Sequence, residues 1–393
     1  MNRRLQKQEV NALRSDRDHF AGGTMTSPQV GYLLPTRDWV VLGDREPSAL
    51  VEQARLAESL GFDSVWAGDS PVTRHRADPL MLLSAVAATT ERVTLGTAVL
   101  LPALRHPILL AHQLATLDRI ADGRLIAGMG AGFPHPNTEA QFDALGIAFK
   151  RRVSRTEESI DVMRRLWAGG GAVSYQGAHF DFQDVVLEPK PAQVGGPPIW
   201  LAGSGAAALR RVGRLADGWL PYPPTSETYA HEWGVVQEVA HLGGRGSGEV
   251  ARLGGPAYGE AASVVEPAVG EVEPLAESAV GEADSLVGPA AGEGVRVITP
   301  ALYATVCLDD DPERARGRLR TSIERYYNAP LEFIESIQAT FAGSAADAVD
   351  WLSAYASAGV RHVVIRFAVD DHRAALEEFA DRVLPRLRAE IRP

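Results

Sequence analysis

The sequence predicts an α/β fold, a (β/α)8 TIM barrel in which eight parallel strands alternate with helices. Three observations support this prediction. Short apolar runs rich in β-branched residues alternate with segments of helical period, and most of these runs are apolar on both faces. A glycine also repeatedly separates a helix from the strand that follows it. Such strands are typical of a covered parallel sheet, with a doubly wound open sheet as the alternative.

The strands are predicted where apolar runs are short and bounded by turn residues. They are Gln29–Leu34, Phe62–Ala67, Val93–Leu100, Arg124–Gly128, Pro198–Ala202, Gly218–Pro221, Ile298–Leu308 and Arg361–Phe367. The stretch "VSYQGAHFDF" alternates with period two around Gln176 and Gly177, which predicts an added surface hairpin before the fifth strand.

The helices are predicted from apolar positions spaced three and four residues apart. They are Ser48–Leu60, Pro79–Thr90, Pro107–Ala121, Arg152–Trp167, Ala206–Ala216, Pro312–Tyr326, Ala345–Ala358 and Arg373–Ile391. Ser344 and Asp347 form a capping box at the start of one of them. Gly61, Gly123, Gly218 and Gly359 each follow a helix, where we expect a left-handed backbone.

Two segments fall outside this alternation. Residues 1–28 are polar and lack the apolar stretch of a signal peptide, so we predict a disordered leader. Residues 29–393 are predicted to form one barrel domain, interrupted at 253–295. The interruption repeats "VEP" and "AVGE" and carries acidic residues but no Lys or Arg, which predicts a low-complexity acidic insertion. The sequence is compatible with an inert insertion and with a lid over the site.

Composition limits the possible partners. The formal net charge of −11 argues against binding to nucleic acid or to an anionic membrane. Cys307 is the only cysteine, so no disulfide within the chain is possible, and its apolar surroundings predict a buried thiol. No apolar run reaches the ~20 residues that span a bilayer. We therefore predict a cytoplasmic protein that acts on a small molecule.

In a barrel of this kind the chemistry lies at the carboxyl ends of the strands. Asp69 and Ser70 follow the second strand, and either could orient a polar ring or take a proton, although Asp69 could also cap a turn. His75 stands between two arginines on the same loop, which could receive an anionic substrate or the charge of a reduced cofactor. His106 precedes Pro107 and is as suited to capping a helix as to catalysis.

Glycines follow the fourth and fifth strands. Gly128, Gly130 and Gly132 alternate, which would let a planar group approach the backbone, and His135 could reach the same mouth. Gly203-Ser204-Gly205 stands between a strand and a helix. Free amides at a helix start together with a hydroxyl group predict a phosphate site, with a plain tight turn as the alternative.

The histidine and carboxylate spacings indicate no metal site. Any difficult redox chemistry would therefore depend on a bound organic cofactor.

Four long stretches together resemble the bacterial luciferase-like flavin-dependent oxidoreductases. They are "GFDSVWAGDS", "ERVTLGTAVLLPALRHPILLAHQLATLDRIADGRLIAGMGAGF", "RRVSRTEESIDVMRRLWAG" and "PIWLAGSGAAALRRVGRLADGWLPY". The resemblance runs from about Gln29 to Pro221 and resumes at Ile298. It implies a barrel that binds reduced FMN, or the deazaflavin coenzyme F-420 in a sister branch, across the carboxyl ends of its strands.

The resemblance also implies particular cofactor contacts. A non-proline cis peptide bond that supports the flavin ring would fall at Ala98-Val99, next to Thr97. The phosphate site of the family would fall on Gly203, Ser204 and Gly205. Relatives are often dimers, so a homodimer is possible, and a monooxygenase of this family would draw its reduced flavin from a separate flavin reductase.

Two departures from the family pattern bear on the reaction. Many relatives have "DH" where this chain has Asp69-Ser70, and the related F-420-dependent sugar phosphate dehydrogenases have a glutamate where Phe133 stands here. Loss of both groups favours an FMN monooxygenase, a flavoprotein that uses reduced FMN and O2 with His75, His106 or His135 as proton handlers. An F-420-dependent oxidoreductase and a non-catalytic flavin-binding barrel are the alternatives.

Overall fold

A computed structural model describes residues 27–44, 46–242 and 296–390, and its central feature is a closed barrel of parallel strands. Eight strands follow one another around the ring, and the pairing of the sixth strand with the seventh closes it. In order around the ring they are β1 (Gln29–Leu33), β2 (Ser64–Ala67), β3 (Thr94–Thr97), β4 (Leu125–Met129), β7 (Ile199–Leu201), β8 (Gly218–Trp219), β9 (Thr299–Leu308) and β11 (His362–Phe367). The predicted barrel and all eight of its strands are confirmed.

Three further strands lie outside the ring. The predicted hairpin is present as β5 (Val173–Gln176) paired antiparallel with β6 (Asp181–Val185). The sequence did not indicate β10 (Thr340–Gly343), which pairs with the carboxyl end of β9 from Thr305 to Leu308. Because β9 is ten residues long, it extends past β8 and leaves that edge available to β10.

Thirteen α-helices are present among the described residues. They are α1 (Thr36–Val41), α2 (Ser48–Ser59), α3 (Pro79–Thr89), α4 (Pro107–Ile120), α5 (Pro136–Ala144), α6 (Arg152–Ala168), α7 (Ala206–Leu215), α8 (Ser226–Leu242), α9 (Pro312–Tyr327), α10 (Leu331–Ile337), α11 (Ala345–Ser357), α12 (His372–Arg382) and α13 (Leu384–Glu390).

Short polar residues begin these helices as the sequence predicted. Asp78 accepts hydrogen bonds from the amides of Leu80 and Met81, with a proline as the first helical residue of α3. At the start of α11 the Ser344 hydroxyl accepts the Asp347 amide and donates to the Asp347 carboxylate, which confirms the capping box.

The last predicted helix is two helices. We expected one helix over 373–391, but α12 ends before Val383 and α13 begins at Leu384. Pro385 has no N–H to donate to the preceding turn, which accounts for the interruption.

The glycine prediction is right at three positions and wrong at one. Gly61, Gly123 and Gly359 follow helices with φ of +88°, +76° and +114°. Gly218 lies within β8 and is not among the positive-φ residues. A Cβ on Gly218 would lie 2.4 Å from the indole of Trp200, so close packing rather than turn geometry explains this glycine.

Apolar side chains form two cores. The larger lies between the ring of strands and the helices, and it includes the buried Cys307. The smaller fills the inside of the barrel around the indoles of Trp66 and Trp200, which are tilted by 36° with ring centroids 5.3 Å apart. His362 packs edge-on against both indoles and bonds to the Ser64 hydroxyl at 2.7 Å. The barrel is therefore packed below its mouth.

The predictions for the acidic insertion at 253–295 and for residues 1–26 of the leader lie outside the described residues. Within the described ranges, no helix combines the length and the apolar character that crossing a membrane requires.

Candidate active site

The carboxyl ends of the barrel strands form a mouth with an apolar floor. Leu33 ends β1, Ala98 and Val99 directly follow β3, and Leu220 directly follows β8. All four side chains belong to the smaller apolar core inside the barrel. Ala98 and Val99 are half-buried and thus open to the mouth. The peptide bond between them is cis, at the position that the resemblance predicted. This floor can support a flat ring.

Two of the alternating glycines at the end of β4, Gly128 and Gly130, are explained by packing against the end of β3. A Cβ on Gly128 would lie 1.9 Å from the Thr97 carbonyl oxygen, and one on Gly130 would lie 2.8 Å from Val99. The Thr97 hydroxyl also donates to the Gly128 carbonyl at 2.7 Å. Gly132 has a φ of +93°. Neighbouring protein atoms fill the space beside Gly128 and Gly130, so their binding role stays a prediction.

The predicted phosphate site lies on the rim of the mouth. Gly203 follows β7, and Gly205 is the N-cap of α7 with a φ of +83°. Ser204 and Gly205 are exposed, and the indole of Trp219 donates to the Gly203 carbonyl at 3.0 Å, which holds the turn in place. Amides at a helix start that face solvent can bind an anion. The geometry therefore fits the predicted role of Gly203, Ser204 and Gly205.

A carboxylate from the next helix already approaches these amides. Glu232 on α8 accepts the Gly205 amide at 3.3 Å, and its second oxygen is buried with no hydrogen-bond partner among the described residues. Burial raises the pKa of Glu232, while its bonds to Gly205 and Ser204 oppose that rise. Sequence reasoning missed this residue because it did not predict α8.

Asp69 is engaged in a structural ion pair. Its carboxylate accepts hydrogen bonds from Nη1 and Nη2 of Arg105 and from the amide of Leu101. The Asp69 side chain is only 2% exposed. These bonds tie the loop after β2 to the loop after β3. Ser70 links the same loop to α5, since its hydroxyl donates to Gln141 at 3.3 Å and accepts the Arg74 amide at 3.1 Å.

The three candidate histidines lie on the rim. His106 and His135 are N-caps of α4 and α5, where their Nδ1 atoms accept the amides of Ile108 and Asn137. The prediction that His106 caps a helix is confirmed. His75 is exposed on the loop after β2. A catalytic role for any of them stays a prediction.

Three tyrosines form one wall of the mouth. The hydroxyls of Tyr303 and Tyr327 are 3.5 Å apart, and the rings of Tyr222 and Tyr303 meet edge to face. Burial raises the pKa of Tyr222 to about 12 and raises the pKa of Tyr303 and Tyr327 as well. All three therefore stay protonated at neutral pH and can donate hydrogen bonds.

Arginines lie near these tyrosines. Arg37 is the second residue of α1, Arg74 and Arg76 lie on the loop after β2, and Arg366 lies in β11, which pairs with β9. Side chains of a strand alternate, and His362 and Val364 face the barrel interior, so Arg366 faces it too. The sequence indicated Arg74 and Arg76 but not Arg37, Arg366 or the tyrosines, which the fold brings together from distant segments.

Among the described residues, no three side chains of His, Cys, Asp or Glu are grouped closely enough to bind a metal ion.

Comparison with known families gives a match over most of the chain. A family model described as luciferase-like monooxygenase matches residues 28–362. Among curated proteins, an F-420-dependent glucose-6-phosphate dehydrogenase from Microbacterium testaceum is 36% identical over 184 residues, which is 44% of this chain and 52% of that protein. The same enzyme from Nakamurella multipartita is 37% identical over 183 residues, which is again 44% of this chain and 52% of that protein. The chain thus spans about half the length of the curated relatives it matches.

Solved structures share the fold. An F-420-dependent secondary alcohol dehydrogenase bound to an F-420-acetone adduct has a TM-score of 0.68 at 19% identity, covering 92% of this chain and 99% of its own. A monooxygenase from Streptomyces bottropensis has a TM-score of 0.66 at 21% identity, covering 91% and 99%. At these sequence identities the structural similarity establishes the fold alone. A dehydrogenase and a monooxygenase both have this fold.

Proposed function

Because the chain belongs to the luciferase-like monooxygenase family, we propose that it is an oxidoreductase that binds coenzyme F-420 across the mouth of its barrel. The observation that carries this proposal is the exposed turn at Ser204 and Gly205 at the start of α7, beside the apolar floor at Ala98 and Val99. A phosphate-bearing cofactor with a flat ring fits both features. The curated relatives favour F-420 over FMN, since the proteins from Microbacterium testaceum and Nakamurella multipartita are F-420-dependent dehydrogenases.

The cofactor would supply hydride-transfer chemistry, and the protein would bind, orient and protonate. Gly203, Ser204 and Gly205 would hold the phosphate, and Ala98 and Val99 would support the ring. Tyr303 and Tyr327 would donate hydrogen bonds to a substrate oxygen, because their raised pKa keeps them protonated.

An FMN monooxygenase is the second candidate. The deep polar groups of the mouth are tyrosine hydroxyls and guanidinium groups, while Asp69 is held by Arg105 and the histidines lie on the rim. A mouth of this kind suits a reaction in which the cofactor and O2 supply the chemistry and the protein excludes water. This candidate, like the first, uses the phosphate site at Ser204.

Titration of the purified protein with F-420 and with FMN, followed by fluorescence quenching, tests the proposal. We expect F-420 to bind more tightly than FMN. Ser204→Asp places a negative charge at the phosphate site and should weaken binding by about tenfold or more. Ser48→Asp makes the same change at the exposed start of α2 and should leave binding unchanged. Tight FMN binding without F-420 binding would establish the second candidate, and binding of neither would reject both.

A further inference from the structure

Three arginine side chains converge on one tyrosine at the mouth. The guanidinium carbons of Arg366, Arg37 and Arg76 lie 4.0, 5.3 and 6.0 Å from the ring centre of Tyr326. Arg37 also donates from Nε to the Tyr326 carbonyl at 2.7 Å, and Arg76 donates from Nε to the Arg74 carbonyl at 3.2 Å. Three separate segments of the chain therefore direct positive charge to the same place.

The side chain of Arg76 reaches the mouth itself. A Cβ on Gly68, the residue directly after β2, would lie 2.2 Å from Nη1 of Arg76 and 3.4 Å from the Ala98 carbonyl. The guanidinium group therefore lies over the end of β2, beside the floor that would support the cofactor ring. Glycine at position 68 leaves the room for it.

Positive charge exceeds negative charge in this cluster. Asp38 is the carboxylate that meets it, and Arg366 binds Asp38 at 2.6 Å in a pair that is almost fully buried. Within the described part of the chain, Arg37, Arg74 and Arg76 form no ion pair. Burial lowers the pKa of Arg37, and the charges of Arg76 and Arg74 lower it further. Like charges held together in this way favour an anion that would offset them.

Arg366 has donors to spare as well. Its side chain is 1% exposed, and its Nη2 bonds to Asp38 and to the Ser322 hydroxyl. Its Nε and Nη1 are buried and have no hydrogen-bond partner among the described residues. Buried donors of a charged group are rarely left unpaired in a native protein, so this side of the cluster also has unused hydrogen-bonding capacity.

We propose that Arg37, Arg74 and Arg76 form an anion subsite that holds a phosphate or carboxylate group of the substrate beside the cofactor. The inference rests on the proposed function, because it places the substrate next to the bound ring. Guanidinium groups suit both anions, since each offers paired N–H donors to two oxygens. Tyr222, Tyr303 and Tyr327 near these arginines would then contact the neutral part of the substrate.

The negative charge that the cluster binds could also belong to a reduced cofactor, and binding experiments separate the two sources. The full-length protein is saturated with the cofactor in its oxidised form, so that the phosphate site at Ser204 is filled. Glucose 6-phosphate, succinate and neutral glucose are then titrated by calorimetry. We expect both anions to bind and glucose to bind weakly or not at all. Higher ionic strength should weaken the binding of the anions.

Arg74→Gln and Arg76→Gln should each weaken anion binding by about tenfold or more, because each removes a charge-assisted hydrogen bond. Both residues lie on a loop, and thermal melting shows whether each variant is folded. Arg386→Gln removes an exposed arginine on α13 and serves as the matched control, with no change expected. The affinity for the oxidised cofactor should stay the same in all three variants.

Three results would overturn the subsite. The anions could bind no better than glucose, their binding could be insensitive to Arg74 and Arg76, or the variants could weaken cofactor binding alone. If neither F-420 nor FMN binds, the proposed function fails separately. Anion titration of Ser204→Asp with and without Arg76→Gln then still decides whether the arginines hold an anion.

Discussion

Glu232 would control the charge that the phosphate of the proposed cofactor meets at the rim. One of its oxygens accepts the Gly205 amide, and the other is buried without a partner among the described residues. Burial raises its pKa above the ordinary value of 4.5. Below this pKa the side chain is neutral, and above it the carboxylate competes with the phosphate for the same amides. Cofactor affinity should therefore fall as pH rises through the pKa of Glu232.

Glu232→Gln keeps the shape and the acceptor oxygen but removes the charge. We expect the variant to bind F-420 about fivefold more tightly at pH 8, a gain of about 1 kcal/mol for removing one nearby like charge. The two proteins should converge as pH falls through the pKa of Glu232, where the side chain becomes protonated. Fluorescence titration at each pH measures this difference, and ionisation of the cofactor cancels in the comparison.

Glu227→Gln on the same helix is the control for that measurement. Glu227 is exposed in the first turn of α8, so its removal changes the net charge equally without touching the rim. Equal effects of the two substitutions would contradict the proposed competition, since they would point to net charge alone.

The residues around the mouth show where sequence reasoning is limited at the scale of single residues. Gly203, Ser204 and Gly205 were found because they are contiguous and stand between a strand and a helix. Tyr222, Tyr303 and Tyr327 come from β8, β9 and α9 regions far apart in the chain, and no local pattern marks them. Asp69 was a reasonable candidate, and only the contact with Arg105 reveals that its carboxylate is occupied.

At the scale of elements, the contact between β3 and β4 depends on glycine. The Gly128 carbonyl accepts both the Thr97 hydroxyl and the Leu100 amide, so the two segments are held close together. Gly128→Ala would place a methyl group 1.9 Å from the Thr97 carbonyl oxygen, which is backbone and cannot rotate away. We expect the free energy of unfolding to fall by about 3 kcal/mol, measured by urea denaturation.

Gly317→Ala gives the opposite result if this reasoning is right. Gly317 is exposed within α9, and an added Cβ would meet no atom within 4 Å. Alanine favours a helix over glycine by about 0.5–1 kcal/mol, so this variant should be slightly more stable. A Gly128→Ala protein as stable as the parent would show that β3 and β4 can separate at no cost.

Short elements were the least predictable from sequence. The helices α1, α5 and α10 have at most nine residues, and β10 has four, so their apolar periodicity extends over too few positions to be distinguished from a loop. The prediction of β10 would have required knowing that β9 extends past β8, which is a property of the closed ring. The eight ring strands and the long helices other than α8 needed no such information.

At the scale of the whole molecule, a buried histidine links stability to pH. His372 is 5% exposed, and its Nδ1 lies 3.1 Å from the Tyr32 hydroxyl. Burial lowers its pKa to about 4, below the 6.5 of an exposed histidine. Between these values the unfolded chain binds a proton that the folded chain does not. The contribution of this residue is therefore complete above pH 6.5 and is lost as pH falls towards 4.

His372→Gln should reduce this pH dependence. Between pH 7 and pH 4.5 we expect the parent protein to lose about 2–3 kcal/mol more free energy of unfolding than the variant. Urea denaturation at the two pH values measures the difference, so a general loss of stability in the variant does not affect the result. His112→Gln, at an exposed position on α4, should behave like the parent. Equal slopes for all three proteins would mean that His372 is not responsible.

The sequence by itself determined the order of the ring strands, the closed barrel and the predicted phosphate site at Gly203 to Gly205, because each depends on neighbours in the chain. Hydrophobic period, helix caps and hinge glycines all act over fewer than about 20 residues. Only the tertiary structure decided which polar groups meet: Asp69 with Arg105, Glu232 with the Gly205 amide, and three arginines that form no ion pair within the described residues. Electrostatic energy depends on distance in space, and the closed ring brings together residues more than 300 positions apart.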